Sequence, residues 1–565
     1  MTKRCKVTIW QASLLILIVF VYLSLYIIPT NIHGDGFSHT LIIREIVENQ
    51  GLLNHYPYRI IKFDDNNNEI YFPLHYEQTF HVALAPIWML GAQPLIKLVS
   101  IILGCFISLT IYIFLRDINK KIAFFAGLFV IINNIYMFII GPLIEEYLLL
   151  MSVLALVYYY KFLRYNYKYK YAILAGIFFG CSVAAKQQGI ILILAIFYFM
   201  LLYYFYSKLN KIKISIKPFL IVIIFTIIFG IMPLYDLYER TGTIGYSPGG
   251  TKISEKIPFS SYINSFLQSK FPIDKEAQEV IKKRKGYGFK NGQSIIHTIK
   301  QYFLFPKFYY RGAFISLNIN FTWIIIFFTL FLLGCLYFYN KDKILFCLLF
   351  FLFIIEFIAT YALNLRIYQY QPLALTIFVI FLVSGFFNLS NLRIFYSKKW
   401  LLSTISMFIV INLMMGYITY IHEPYWLKEG RNTDIELQRY EKMGHFIQKN
   451  IPNNSIFLTQ DARFWWYAKR NTFWISNAYG SKVPLIFETN DPRIALKWLK
   501  YYNIDYIHIN IAQTKRKGLH DYIPPNGLLN YIHKSPYFKE IYNVDNRLFL
   551  YKVEYPDNIT QIMDP

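Results

Sequence analysis

Residues 171–206 read YAILAGIFFGCSVAAKQQGIILILAIFYFMLLYYFY, two long apolar runs on either side of the polar triplet Lys186-Gln187-Gln188. A helix that crosses a membrane needs about 20 mainly apolar residues, and two crossings within this segment leave about 18 residues for each. Clusters of lysine and arginine lie on both outer flanks, which is the charge pattern of a helical hairpin whose two ends face the cytoplasm. The segment therefore predicts a helical membrane protein.

The same alternation of apolar blocks and basic clusters extends over most of the 565 residues. The chain is 56% hydrophobic and 16% charged, with a mean hydropathy of +0.36, whereas a soluble protein is about 25% charged. The net charge of +24 comes largely from short loops between spans, where it orients the chain and predicts no nucleic-acid partner. The five cysteines lie in or beside apolar blocks and predict neither a disulfide framework nor a zinc site.

Six basic clusters set the predicted topology, because positively charged loops stay on the cytoplasmic side. The clusters are Lys3/Arg4/Lys6, Arg116/Lys120/Lys121, Lys161/Arg164/Lys168/Lys170, Lys208/Lys211/Lys213/Lys217, Lys341/Lys343 and Arg393/Lys398/Lys399. Eleven spans follow, at 9–28, 94–115, 121–141, 144–163, 171–186, 189–206, 218–234, 315–339, 344–363, 370–388 and 401–420. The prediction is a multi-pass protein of the cytoplasmic membrane, in contact with the lipid bilayer, with a cytoplasmic N-terminus and an extracytoplasmic C-terminal domain.

Residues 74–91 (LHYEQTFHVALAPIWMLG) are apolar enough to be counted as a further span, but that count would invert every later loop. The segment also contains His75, Glu77, Gln78 and His81, which are costly in the middle of a membrane. We therefore predict an amphipathic helix that lies at the outer interface.

Two parts are expected: a transmembrane module at 1–420, with outer loops 30–93 and 235–314, and an outer α/β domain at 421–565. The fold class is mainly α, a polytopic membrane helical bundle. In the α/β domain, Thr433-x-x-Glu436 is a capping box that predicts a helix from Thr433 to Lys449. The other predicted elements are strands at Ser455–Thr459 and Asp505–Ile511, a helix that Asp491-Pro492 opens and that runs to Tyr502, and a hairpin of Tyr537–Val544 and Arg547–Val553 turned at Asp545-Asn546.

Asp35 is the first candidate catalytic residue. It follows the first span and opens a helical pattern, so one interpretation is a helix N-cap. His39 lies one turn later on the same helix face. A carboxylate beside an imidazole at a membrane surface is also placed to take a proton from an acceptor, and both interpretations stay open.

Glu145 and Glu146 follow Gly141-Pro142 between the third and fourth predicted spans. Two carboxylates at the edge of hydrocarbon indicate a functional site, although an ordinary solvated turn is the alternative. Lys186 and Gln187 lie at the outer turn of the opening segment, where the lysine either snorkels to the surface or binds an anionic head group. Arg366, followed by Tyr368 at the outer end of the ninth span, is a second cation for such a group, since arginine can hold a phosphate with two hydrogen bonds.

No cofactor is certain from the sequence. Asp64, Asp65, Glu69, His75 and Glu77 crowd the first outer loop, and with Asp35 they could bind a divalent cation such as Mg²⁺ or Mn²⁺. The run from Asp64 to Asn68 is more typical of an exposed turn. The sequence therefore leaves open whether these residues bind a metal ion.

The arrangement of residues 1–420 resembles the GT-C glycosyltransferases, which include protein O-mannosyltransferases, aminoarabinose transferases and oligosaccharyltransferase catalytic subunits. The residues that carry the resemblance are Asp35 after the first span, Pro73-Leu74, Glu146-Tyr147, Gly176-x-x-x-Gly180 with Lys186, and Arg366 with Pro372. Two features depart from it. Gly36 follows the acid of the first loop, and Trp465-Trp466 precedes Tyr467 rather than an aspartate, which disfavours transfer of a whole oligosaccharide to asparagine.

The resemblance implies a glycosyltransferase of the cell envelope that moves a sugar, with inversion, from a polyprenyl-phosphate donor to a glycan, lipid or protein acceptor. Nucleotide sugars are cytoplasmic, whereas every candidate residue is predicted to lie outside, which also favours a lipid-linked donor. Lys186 and Arg366 would bind the donor phosphate, and Asp35 would deprotonate the acceptor. The alternatives are a transporter, for which we find no pair of similar halves, and a non-catalytic GT-C-like membrane scaffold.

Overall fold

A computed structural model of the chain describes residues 3–27, 34–74, 78–91, 93–132, 144–165, 167–186, 189–209, 216–241, 261, 274–284, 321–362, 372–389, 425–461, 463–476, 480–511, 523–524 and 526–557. Helices dominate the part before residue 390, and a mixed sheet with short helices follows residue 425.

The helices of the first part are α1 (Lys3–Ile27), α2 (Gly34–Glu48), α3 (Thr79–Met89), α4 (Gln93–Leu115), α5 (Lys120–Ile132), α6 (Ile144–Arg164), α7 (Tyr169–Ala185), α8 (Gly189–Leu209), α9 (Lys217–Thr241), α10 (Lys275–Arg284), α11 (Phe321–Lys341), α12 (Lys343–Ala362) and α13 (Pro372–Leu389). One continuous apolar core joins most of them. Glycines let two pairs of helices approach closely, as is common in membranes. Gly176 and Gly180 on α7 lie against α9, and Gly385 on α13 lies against Leu330 of α11.

Five helices are long and apolar enough to cross a membrane, counted over the described residues only: Leu98–Leu115, Ile144–Arg164, Gly189–Leu209, Lys217–Arg240 and Pro372–Leu389. The count of eleven spans and the orientation of the termini stay predictions, and the last predicted span, 401–420, lies outside the described residues. Helix α3 has 11 residues and so is about 16 Å long, against about 30 Å for the hydrocarbon core of a bilayer. It is too short to cross, in keeping with the topology inferred for residues 74–91.

In the part of the chain that the structure describes, the sheet has seven strands, and two of them come from the first loop. The strands are β1 (His55–Phe63), β2 (Glu69–Pro73), β3 (Phe457–Thr459), β4 (Thr472–Trp474), β5 (Tyr506–Asn510), β6 (Phe538–Val544) and β7 (Leu548–Val553). Their order is β2-β1-β4-β3-β5-β7-β6, and β1, β4, β3 and β5 are parallel. The sequence did not predict β1 or β2. Because β1 pairs with β4, one sheet joins the first loop to the C-terminal α/β region, while the division at residue 420 stays a prediction.

Helices in the C-terminal α/β region are α14 (Tyr425–Asn450), α15 (Phe464–Ala468), α16 (Val483–Glu488) and α17 (Pro492–Tyr501). Several predictions of local structure are confirmed. The Asp491 side chain accepts from the backbone N–H of Arg493 at 2.8 Å as the N-cap of α17. Asp545 and Asn546 both have positive φ, 53° and 51°, in the turn between β6 and β7.

The predicted start of α14 is wrong. The capping box requires Thr433 to precede the first turn, but the helix already begins at Tyr425. In the first loop, the run from Asp64 to Asn68 forms the turn between β1 and β2. Asp64 Oδ2 accepts from Asn68 Nδ2 at 3.0 Å, and Asp64 Oδ1 accepts from the backbone N–H of Asn68 at 2.7 Å and of Asn66 at 3.0 Å. These bonds, and first of all the one from the Asn68 side chain, lower the pKa of the Asp64 carboxyl.

A buried polar network lies between α14 and the carboxyl ends of β3 and β5. Asp461 accepts from Tyr440 Oη and, at 2.8 Å, from Arg463 Nη2, while Asn510 Nδ2 donates to Tyr440 Oη at 2.9 Å. Burial by itself would raise the pKa of Asp461, but the neighbouring Arg463 and the hydrogen bonds outweigh burial and lower the pKa to about 2. The carboxylate is therefore charged at neutral pH.

His508 on β5 belongs to the same network. Its Nδ1 shares a hydrogen bond with Thr459 Oγ1 at 2.8 Å, and its ring stacks on Phe464 with centroids 4.2 Å apart. Full burial lowers the pKa of His508 to about 3, so the imidazole is neutral at neutral pH.

Candidate active site

Helix α2 carries the first predicted pair. The helix begins at Gly34, so Asp35 is its second residue. An N-cap residue would instead precede the first residue of the helix. Asp35 therefore lies in the first turn of α2. The structure describes the backbone of Asp35 but not its side chain.

His39, one turn further along α2, is paired with His81 of α3. His39 Nδ1 and His81 Nε2 are 2.9 Å apart, and both rings are buried, with 2% and 0% exposure. A hydrogen bond between two ring nitrogens needs one N–H and one lone pair, so at least one imidazole is neutral. The sequence singled out His39 but noted His81 only as a polar residue too costly for a span. The signal was present, because a buried histidine in an apolar helix needs a partner.

Glu145 and Glu146 lie in the first turn of α6, and both are buried, with 3% and 0% exposure. The alternative of a solvated turn is therefore wrong. Lys186, which directly follows α7, donates through Nζ to Glu145 Oε1, and the two side chains are only 8% and 4% exposed. The lysine does not snorkel to a surface, since it lies inside the protein. Glu145 Oε2 accepts no hydrogen bond from the described residues.

An apolar contact joins the histidine pair to α6. The ring of Phe80, next to His81, lies 6.2 Å from the His39 ring and 5.9 Å from the Tyr147 ring, centroid to centroid. Phe80 also belongs to a small core with Ile43 of α2 and Ile144 of α6. Helices α2, α3 and α6 therefore meet at one place. The C-terminal end of α7 reaches the same place, because Lys186, which follows α7, contacts Glu145 of α6.

Arg240 is a buried cation that sequence reasoning missed, because it was assigned to the second outer loop. Helix α9 continues to Thr241, and the Arg240 side chain is 4% exposed. It donates to Asp236 Oδ2 at 2.6 Å and to the backbone carbonyl of Leu74. The spacing of Asp236 and Arg240, one helical turn apart, was the available signal. Arg240 thus attaches α9 to the segment that precedes α3.

Three predicted substrate-binding residues, Gln187, Arg366 and Tyr368, lie outside the described residues. The same is true of His75 and Glu77. Across the ranges that the structure describes, no group of three or more histidine, cysteine, aspartate or glutamate residues could hold a metal ion. Lys186 already places a positive charge against Glu145, which disfavours a divalent cation on that carboxylate. We assign no metal site.

Comparison with known proteins bears on this arrangement. Residues 91–232 match the family described as dolichyl-phosphate-mannose-protein mannosyltransferase. A search of curated proteins by sequence finds no match. Among solved structures, ArnT from Cupriavidus metallidurans bound to undecaprenyl phosphate aligns with a TM-score of 0.54 and 9% identity, over 98% of this chain and 99% of that one.

The apo form of that ArnT aligns over 100% of both chains, with a TM-score of 0.52 and 9% identity. The chain has the GT-C fold. The oligosaccharyltransferase of Archaeoglobus fulgidus, in complex with Zn and sulfate, is also similar, with a TM-score of 0.52 and 13% identity over 95% of this chain and 72% of that one.

The GT-C resemblance predicted from short motifs is therefore confirmed at the level of the fold. The family match covers α6 and α7 with Glu145, Glu146 and Lys186. It does not reach Asp35, His39 or His81. The contact of His39 and His81 with α6 through Phe80 is a finding of the structure.

Proposed function

We propose that this GT-C protein is a glycosyltransferase that moves a sugar from a polyprenyl-phosphate donor to an acceptor at the external face of the cytoplasmic membrane. The observation that carries the proposal is the buried Glu145–Lys186 pair beside the helix that bears Asp35 and His39. Buried charges are costly and are retained where a site needs them. The similarity to an ArnT that binds undecaprenyl phosphate supports a lipid-phosphate donor.

In this proposal Lys186 binds the donor phosphate. The phosphate is the leaving group when the bond from the anomeric carbon to its oxygen breaks, and a fixed cation stabilises the negative charge that develops there. Glu145 compensates the lysine before the donor binds and keeps its ammonium group in place. Glu145 Oε2, which has no partner among the described residues, is free to accept a hydrogen bond from a sugar or acceptor hydroxyl. Gln187, Arg366 and Tyr368 would complete the head-group site.

Asp35 would act as the general base. The acceptor hydroxyl loses its proton as its oxygen attacks the anomeric carbon opposite the phosphate, which inverts that carbon. His39, one turn away on α2 and fixed by His81, would stabilise the protonated carboxyl or orient the hydroxyl. The acceptor is a hydroxyl group of a glycan, a lipid or a protein.

The experiment is Asp35→Asn in purified protein, assayed with a polyprenyl-phosphate sugar. General-base catalysis supplies roughly 10²–10⁴-fold, so turnover should fall by that factor while donor binding is retained. Asp65→Asn, in the exposed turn between β1 and β2, is a matched control that should retain full activity. Near wild-type transfer by Asp35→Asn would contradict the role of Asp35. Unchanged cellular function in the same variant would favour a scaffold or a transporter instead.

A further inference from the structure

We propose that the segment 465–474 of the C-terminal α/β region holds α2 in its catalytic position, and that Trp466 is a positioning residue for sugar transfer. The inference rests on the proposed function, because α2 matters through Asp35 and His39. It assigns a role to the C-terminal α/β region that the site residues alone do not suggest.

The apolar part of the contact lies on the second half of α2. Leu41, Ile42 and Ile46 pack in one cluster with Trp465 and Trp466, and none of the five is more than 7% exposed. Burying an aromatic side chain of this size removes a large apolar area from water, which makes the contact strong and directional. The two tryptophans belong to α15, between β3 and β4, so α2 rests directly on the sheet region.

Polar contacts fix the rotation of α2 about its axis. Arg44 Nη2 donates to the backbone carbonyl of Trp466 at 3.3 Å, and the Arg44 guanidinium lies 5.7 Å from the centroid of the Trp466 ring. Nearby, Lys469 Nζ contacts Glu48 Oε2 at 3.2 Å, at the C-terminal end of α2. Hydrogen bonds and a cation–π contact on one side of a helix restrict its rotation more than apolar packing alone.

The same segment also holds the rest of the first loop. Thr472 and Phe473 of β4 pair in parallel with β1. Asn471 Nδ2 donates to both carboxylate oxygens of Glu69 on β2, at 2.6 and 2.7 Å, and Asn471 Oδ1 accepts from Tyr71 Oη at 3.1 Å. Residues 465–474 therefore hold α2 at one end and β1 and β2 at the other.

A small tilt of α2 about its contact with Trp466 would displace the end of the helix that carries Asp35. Residue 44, at the centre of the contact, is about 14 Å along α2 from Asp35, at 1.5 Å per residue. A tilt of about 5° around that point would move the catalytic end by about 1 Å. A displacement of that size can cost about 10²-fold in rate. Loss of the Trp466 ring should therefore slow transfer without touching any group that contacts substrate.

The test uses the full chain with three variants: Trp466→Ala, Trp466→Phe and the control Trp498→Ala, on α17 of the same region. Trp466→Ala should lower kcat by roughly ten- to a hundredfold and leave the Kd for the donor lipid within about twofold, because Lys186 and Glu145 lie elsewhere. Trp466→Phe should restore most of the rate, and Trp498→Ala should behave like wild type.

Hydrogen exchange provides a readout that does not depend on activity. In Trp466→Ala, amides of α2 should exchange faster while those of α6 and α7 keep their wild-type protection. Unchanged exchange in α2, or an unchanged kcat, would overturn the proposal, as would a parallel loss of kcat and donor affinity with general unfolding. A wild-type protein that transfers no sugar from any polyprenyl-phosphate donor would contradict the proposed function alone and leave the exchange result in force.

Discussion

Removing either partner of the Glu145–Lys186 pair should strongly destabilise the protein, whereas removing both should cost less than the sum. The two side chains are 4% and 8% exposed, so Lys186→Met or Glu145→Gln removes from the remaining buried group the oppositely charged partner that it contacts in the wild type. Such a loss typically costs about 3–5 kcal/mol. The double variant leaves no unpaired charge, and residues in direct contact couple by about 0.5–3 kcal/mol, so we expect a coupling near the upper end of that range.

The cycle is measured by equilibrium unfolding in mixed micelles, followed by tryptophan fluorescence. A matched control is the pair Lys482 and Glu276, whose Nζ and Oε2 atoms are 2.7 Å apart but whose side chains are 33% and 63% exposed. Exposed pairs contribute about 0–1 kcal/mol, so Lys482→Met and Glu276→Gln should change little. Additive effects of Glu145→Gln and Lys186→Met, or single effects as small as those of the control, would refute the reasoning.

Donor binding separates the functional role of Lys186 from its structural one. A charge-assisted hydrogen bond contributes about 1.5–3 kcal/mol, so Lys186→Met should weaken donor binding roughly tenfold to a hundredfold. Glu145→Gln retains the ammonium group and should weaken it much less. Equal donor affinity in wild type and Lys186→Met would reject the assignment of Lys186 to the phosphate.

Two further predictions concern stability. Burial lowers the pKa of His508 from 6.5 to about 3, so the folded state favours the neutral ring. The free energy of unfolding should therefore be at its full value above about pH 6.5. It should fall by up to about 5 kcal/mol as the pH approaches 3. Proteolysis of the C-terminal α/β region at graded pH would measure the loss, and no change between about pH 7 and 4 would contradict it. Gly385→Ala would place a Cβ against the Leu330 carbonyl of α11 and should destabilise by about 1–3 kcal/mol, whereas Gly51→Ala, whose Cβ would have its nearest neighbour at 3.8 Å, should have little effect in the same unfolding assay.

Local signals in the sequence predicted local structure well. The turn at Asp545-Asn546 needs two residues that tolerate positive φ, and the cap at Asp491 needs one short acceptor next to a proline, so neighbours in the chain decide both. Thr433 carried an equally good local signal and was misleading. The helix begins eight residues before Thr433, at Tyr425, so the capping box did not mark its start.

Contacts between distant segments could not be predicted in this way. Glu145 and Lys186 were each recognised as costly charges, but only the packing of α6 against α7 makes them partners. The pair of His39 and His81 depends in the same manner on where α2 and α3 meet. Strand β1 is the clearest case of a contact that the sequence did not predict. Its apolar and polar residues alternate only in part, and its partner strand, β4, lies in another region of the chain.

The pairing of β1 with β4 has a consequence for biosynthesis. Arg59 and Thr472 lie roughly 400 residues apart, and ribosomes add about 5–20 residues per second, so β1 waits about 20 to 80 seconds for its partner strand. During that time the edge of β1 that later pairs with β4 stays open, and an open strand edge can pair with the wrong strand. A nascent or truncated chain should therefore depend on a holding chaperone, and degradation of this protein should begin at its first loop whenever synthesis stops early.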